Sequence, residues 1–136
     1  MSTRTRERRI PRPLVALRVS SVLAAAAALL AAAAGVGGLA GLPATGSATL
    51  FVEVWRVVGF FTFAAVFALL AIRPLISPGL WLIVIANKLA LSIAGVALAG
   101  RAAGSLQAVP WDGALVVLLG AGFATMLVAR ARERST

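Results

Sequence analysis

Apolar sequence recurs in this chain in four long stretches, separated by short segments containing Pro, Gly or charged residues. A helix needs about 20 apolar residues to cross a hydrocarbon core. Within that core every backbone amide and carbonyl has to be satisfied inside the segment, so helices are the simplest solution. Composition points the same way: 61% of the 136 residues are apolar and 12% charged, where soluble domains hold about half and a quarter. The expected fold is all-α and transmembrane.

Residues 1–18 hold six arginines with Pro11 and Pro13 between them. Such a composition buries no core and reads as a disordered basic tail lying near headgroups. Val19 to Leu42 is almost wholly Ala, Leu, Val and Gly and forms the first expected span, followed by Pro43 and a turn-rich loop up to Thr49. The second apolar block is unbroken only from Val57 to Ile72, about 24 Å of helix against a core of about 30 Å. It is therefore expected to start near Leu50. Ser77 and Pro78 have the character of a cap and first turn for a third helix over 78–99, closed by Gly100 and Arg101. A fourth helix is expected over 112–129, opened by Pro110 and Asp112, ended by Arg130 and followed by a basic tail over 130–136.

Four spans put the six N-terminal arginines with Arg73, Arg130, Arg132 and Arg134 on one side, and only Arg56 and Arg101 on the other. The positive-inside rule makes the richer side cytoplasmic. The expectation is an antiparallel four-helix bundle with both termini in the cytoplasm, Trp55 and Trp111 at outer boundaries and Trp81 at an inner one, as aromatic belts require. The competing reading makes the first stretch a cleaved signal peptide and leaves three spans in the same orientations. Twelve Arg to one Lys, with abundant Ala, Gly and Val, has the look of a high-GC bacterial genome and hence of a bacterial plasma membrane.

The chain contains neither Cys nor His, which removes disulfides, thiol chemistry and the usual zinc, iron and haem ligands. No metal and no cofactor is expected. The net charge of +9 sits mainly at the two ends and not along one folded face, so no nucleic-acid partner is expected. No nucleophile and base pair is visible, and the chain reads as a non-enzyme.

Three motifs have bland explanations. Leu42–Gly46 spells LPATG, similar to a sortase signal, but such a signal precedes one final span whereas three follow here; a turn leaving a helix explains it. Gly35, Gly37 and Ala40 fit GxGxxA without the strand that a dinucleotide site needs. Gly37 and Gly41 form GxxxG, read as ordinary helix packing.

Asn87 and Lys88 fall near the middle of the third span. A lysine there costs about 2.5–3.5 kcal/mol on insertion scales, which ten Leu, Ile and Val residues in the same span offset. Lys88, Ser92, Gly95 and Ala99 share one face at helical spacing and should meet other helices. With Thr62 of the second span at similar depth, Lys88, Asn87 and Ser92 make a candidate intramembrane polar site. Asp112 and Glu53 both read as lying near the outer surface, beyond direct reach of the lysine, with Asp112 as a helix cap. Lys88 is then either the central charge of a proton or anion pathway or a snorkelling lysine. Glu53 and Arg56, three apart, form a candidate outer-interface pair: a structural anchor, or the charged lip of a headgroup, quinone or partner site.

Glu53, Arg56 and Gly59, spaced ExxRxxG at the start of the second span, together with four short spans and no soluble domain, resemble the DoxX-like group of small bacterial membrane proteins. The resemblance covers spans two to four. It implies a membrane subunit linked to a quinone-dependent redox complex, with the redox chemistry held by a partner or bound quinone. Two functional classes follow: a non-catalytic subunit or accessory protein with a membrane protein partner, and a small homo-oligomeric transporter or channel built around Lys88.

Overall fold

Alanine is the strongest helix former and leucine is close behind, and the first helix is built largely of the two. The computed structural model describes residues 12–101 and 105–134. It contains α1 (Arg12–Gly41), a 3-10 turn (Leu42–Ala44), α2 (Ser47–Ile72), α3 (Pro78–Ala97) and α4 (Ser105–Glu133), and no strand among the described residues. All four helices are long and apolar enough to cross a membrane.

Helix α1 starts at Arg12, seven residues before the expected Val19, so that residues 12–18 of the expected basic tail are helical; residues 1–11 of that tail lie outside the described residues. Pro13 is compatible with the start because the first-turn amides have no intrahelical acceptor. The LPATG segment forms the connection from α1 to α2, with Thr45 N donating to Leu42 O at 3.0 Å. Helix α2 begins at Ser47, three residues before the expected Leu50, and ends at Ile72 as expected. Ser77 caps α3, its hydroxyl accepting from Leu80 N at 3.4 Å, with Pro78 in the first turn. Gly100, at φ +76°, turns the chain after α3 in a conformation that a side chain disfavours.

The fourth helix departs furthest from expectation. It begins at Ser105, seven residues before Asp112, and runs through Pro110. Pro110 cannot donate to the carbonyl one turn earlier, yet the extra turns are held by α3. Ser105 Oγ donates to Leu98 O at 3.2 Å. Around Gly95, a Cβ would lie 2.8 Å from Ser105 O and 2.7 Å from Val109 Cγ2. Only glycine lets the two backbones come this close.

The nearest backbone approaches join α1 to α2, α1 to α4 and α3 to α4. Gly35 and Gly38 make the first of these: added Cβ atoms would lie 3.1 Å from the Phe61 ring and 2.8 Å from Val57 Cγ2. The GxxxG residues Gly37 and Gly41 meet nothing within 4 Å, so that spacing is not the packing contact. On α4 the buried residues Asp112, Leu115, Leu119, Gly122, Met126 and Ala129 recur at steps of three and four, a continuous seam against the other helices.

Trp81, expected at a membrane boundary, is fully buried. Gly122 makes room for its ring, Phe123 lies with its centroid 6.2 Å away, and the indole N–H donates to Pro74 O at 3.0 Å. A buried indole needs such an acceptor. Outside the core the surface is apolar: Phe51 is 81% exposed, Trp55 73%, Leu29 72% and Val117 70%. A solvent-facing surface of this kind aggregates, whereas lipid matches it.

The glycine contacts give a direct test. Gly95→Ala forces a shift against Ser105 backbone and should destabilise by about 1–3 kcal/mol. Gly37→Ala, in open space, should be neutral or slightly stabilising, because alanine is the better helix former. Unfolding in mixed micelles measures both; equal behaviour of the two variants would contradict the packing described.

Candidate functional site

An ammonium and a carboxylate removed from water are tolerated only when each finds an opposite charge or good hydrogen-bond partners. Lys88 lies mid-way along α3 and is 2% exposed, and Asp112 on α4 is 8% exposed. Lys88 Nζ donates to Asp112 Oδ1 at 2.9 Å. The same ammonium stands 4.5 Å from the centroid of the Phe63 ring on α2, within cation–π range. One cluster thus ties α3 to α4 and touches α2.

This corrects the placement of Asp112 as a cap at the outer surface with no acid in reach of the lysine. Because α4 starts at Ser105, Asp112 is seven residues into it, about 10 Å from its first residue by helix rise. Contacts of Gly95 with Ser105 and Val109, of Lys88 with Asp112, and of Trp81 with Gly122 and Phe123 show α3 and α4 running in opposite directions. That register brings the middle of α3 to the third turn of α4.

The other residues of the expected polar site do not join the pair. Ser92 turns its hydroxyl onto its own helix, donating to Lys88 O at 3.0 Å. Thr62 is exposed and donates to Val58 O at 2.9 Å. Asn87 is exposed, one residue round the helix from Lys88. At the other candidate position, Arg56 forms an ion pair with Glu53 across one helical turn of α2.

Both ion pairs border one cleft: a site with Glu53 and Arg56 as its charged lip was one of the two sequence readings of that pair, whereas its reach to Asp112 was missed. A half-open cavity of about 830 Å³ lies between the end of α1, the start of α2 and the start of α4. Gly37 and Gly41 keep it open on α1, while Glu53, Arg56, Gln107 and Asp112 give it polar groups. Asp112 lines the cavity and Lys88 does not. Its volume falls within the range of small-molecule sites, about 300–1,000 Å³. The run of glycines in the second half of α1 was the available signal, but without partners for α1 it reads only as packing.

No family model, curated protein or solved structure matches the chain. Among the described residues no group of three or more potential metal ligands occurs. What the geometry offers is a carboxylate held from behind by an ammonium and reachable from a polar cleft.

Removing either partner leaves a buried charge unmatched, which typically costs about 3–5 kcal/mol, whereas an apolar pair in the same space is far better tolerated. Lys88→Leu and Asp112→Leu should each destabilise by that order, and the double variant should be more stable than either single one. A double-mutant cycle by unfolding in micelles measures this; additive losses would contradict direct pairing.

Proposed function

We propose that this is a multi-pass integral membrane protein of the bacterial plasma membrane, an antiparallel four-helix bundle with both termini cytoplasmic, which binds a small molecule without catalytic chemistry of its own. The membrane assignment is supported by four apolar helices and an exposed apolar surface. The arginine count supports the orientation. In that orientation the cleft faces the outer side, because it is built where α1 ends and α2 begins.

The observation that carries the binding role is the meeting of the cleft with the buried pair: Asp112 belongs to both. An ionisable group within a span is a functional candidate by default, since its presence disfavours insertion. A charge pair used only to fasten two helices needs no access from one side. A carrier or receptor for a polar molecule does.

The rival reading, a non-catalytic subunit or accessory protein, is favoured by Asn87. Its amide is exposed half-way along an apolar helix, beside the exposed Ala86, Ala90 and Ala94, and a partner helix would satisfy it. The DoxX-like resemblance at Glu53, Arg56 and Gly59 fits this reading, with a quinone-linked partner. Recovery of a stable second protein with the native chain, lost in Asn87→Leu, separates it from the first.

Because the chain has no cysteine, single cysteines report topology cleanly. Gly37→Cys, in the cleft, should react in intact cells with a small, water-soluble thiol reagent that does not cross membranes. Arg132→Cys should react only after permeabilisation, and Leu29→Cys, facing lipid, should react poorly in both. Labelling of positions 37 and 132 from the same side would overturn the orientation; an unreactive Gly37→Cys would overturn the open cleft.

A further inference from the structure

The buried carboxylate has more acceptor capacity than its lysine uses. Asp112 Oδ1 accepts a hydrogen bond from the Lys88 ammonium at 2.9 Å, and Oδ2 meets no donor among the described residues. The sole buried side-chain oxygen or nitrogen lacking both a partner and accessible surface among them is Ser20 Oγ. Oδ2 is therefore reachable, and the cleft is the space that Asp112 lines. A carboxylate oxygen on a largely buried side chain, 11% exposed, with no donor of its own, is an acceptor waiting for one.

Charge and wall chemistry narrow what that donor is. The ionisable groups lining the cleft are Asp112, Glu53 and Arg56, two carboxylates to one guanidinium. Arg56 is paired with Glu53, and the Lys88 ammonium lies behind Asp112, off the lining. With Arg56 engaged by Glu53, the lining offers an anion no cationic group that is not already paired. An ammonium group can donate to the open Asp112 Oδ2, and the lining contains the aromatic side chains Phe60 and Trp111, a residue type that attracts cations. Leu30 and Leu115 supply apolar wall for a short hydrocarbon portion.

We propose that the cleft between α1, α2 and α4 is a binding site for a small organic ammonium compound, whose N–H donates to Asp112 Oδ2 while its apolar part packs against Leu30, Phe60 and Leu115. The ligand and Lys88 then share one carboxylate from opposite sides. This inference rests on the ligand-binding reading above and adds the class of ligand.

The test uses the full chain in lipid nanodiscs with 2-phenylethylamine, an ammonium compound at neutral pH, and 2-phenylethanol as its uncharged counterpart. Asp112 is the sole aspartate in the sequence, so ¹³C-labelled aspartate gives one carboxylate signal. The amine should shift that signal saturably, and the alcohol should require at least about tenfold higher concentration, the worth of one charge-assisted hydrogen bond. The amine should also slow thiol labelling of Gly37→Cys. Gly37→Phe, which fills the cleft from a position with open space and leaves the ion pair intact, should abolish the amine's effect on Asp112. Equal responses to amine and alcohol, no saturable shift, or a shift unaltered by Gly37→Phe would overturn the proposal. If Gly37→Cys is labelled but the amine does neither of these things, the ammonium assignment alone fails; if Gly37→Cys is never labelled, the ligand-binding reading fails with it.

Discussion

A lone charge in the middle of a membrane helix is among the least favourable groups a protein can bury, and this chain places one on α3 and the opposite one on α4. Once Lys88 and Asp112 meet, each cancels most of the other's unfavourable burial, and separating them exposes both to a low-dielectric surrounding. The pairing therefore fixes the register of α3 against α4. Gly95 and Gly122, at either end of the same contact, then let backbone and indole approach where larger residues would hold them apart. Apolar packing against lipid is weakly directional, since lipid tails and leucine side chains are much alike. The ion pair and the glycine contacts supply the direction.

The helices themselves were legible in the sequence, because span length is dictated by the bilayer and a long apolar run announces it. The Ser77 cap, the end of α2 and the small face at Gly95 also follow from local rules. The start of α4 did not. Pro110 and Asp112 together have the form of a helix opening, and local rules give them that role. Tertiary contacts with Leu98 and Gly95 extend the helix two turns further back, and this moves Asp112 from the surface to the depth of Lys88. A boundary difference of seven residues thus changed the lysine from an unpaired charge into half of a buried pair. The GxxxG pair failed for a related reason, and the burial of Trp81 was not legible either: whether a residue faces lipid, a cleft or a neighbouring helix depends on which helices are adjacent, and composition carries no record of that.

The cleft and the pair depend on each other physically. Gly37 and Gly41 carry no side chains to fill the gap beside α4, so Asp112 keeps a route to the exterior of the bundle. A site of this construction presents a carboxylate whose charge is already balanced, which suits reversible binding better than permanent capture. Glu53 and Arg56 at the mouth add a second balanced pair, so the lining is polar without a strong net field.

The register of α3 against α4 and the floor of the cleft both depend on the contact between Lys88 and Asp112. The chain has one lysine and one aspartate, so ¹⁵N-labelled lysine and ¹³C-labelled aspartate make the pair the sole source of a side-chain ¹⁵N–¹³C dipolar coupling between these residue types. Solid-state NMR of the protein in lipid should show strong dephasing of the Asp112 carboxyl carbon by the Lys88 nitrogen, as an ammonium in direct hydrogen-bond contact gives. Absence of that dephasing in folded, membrane-inserted protein would contradict the pairing, and with it the register of α3 and α4 and the cleft floor built on it.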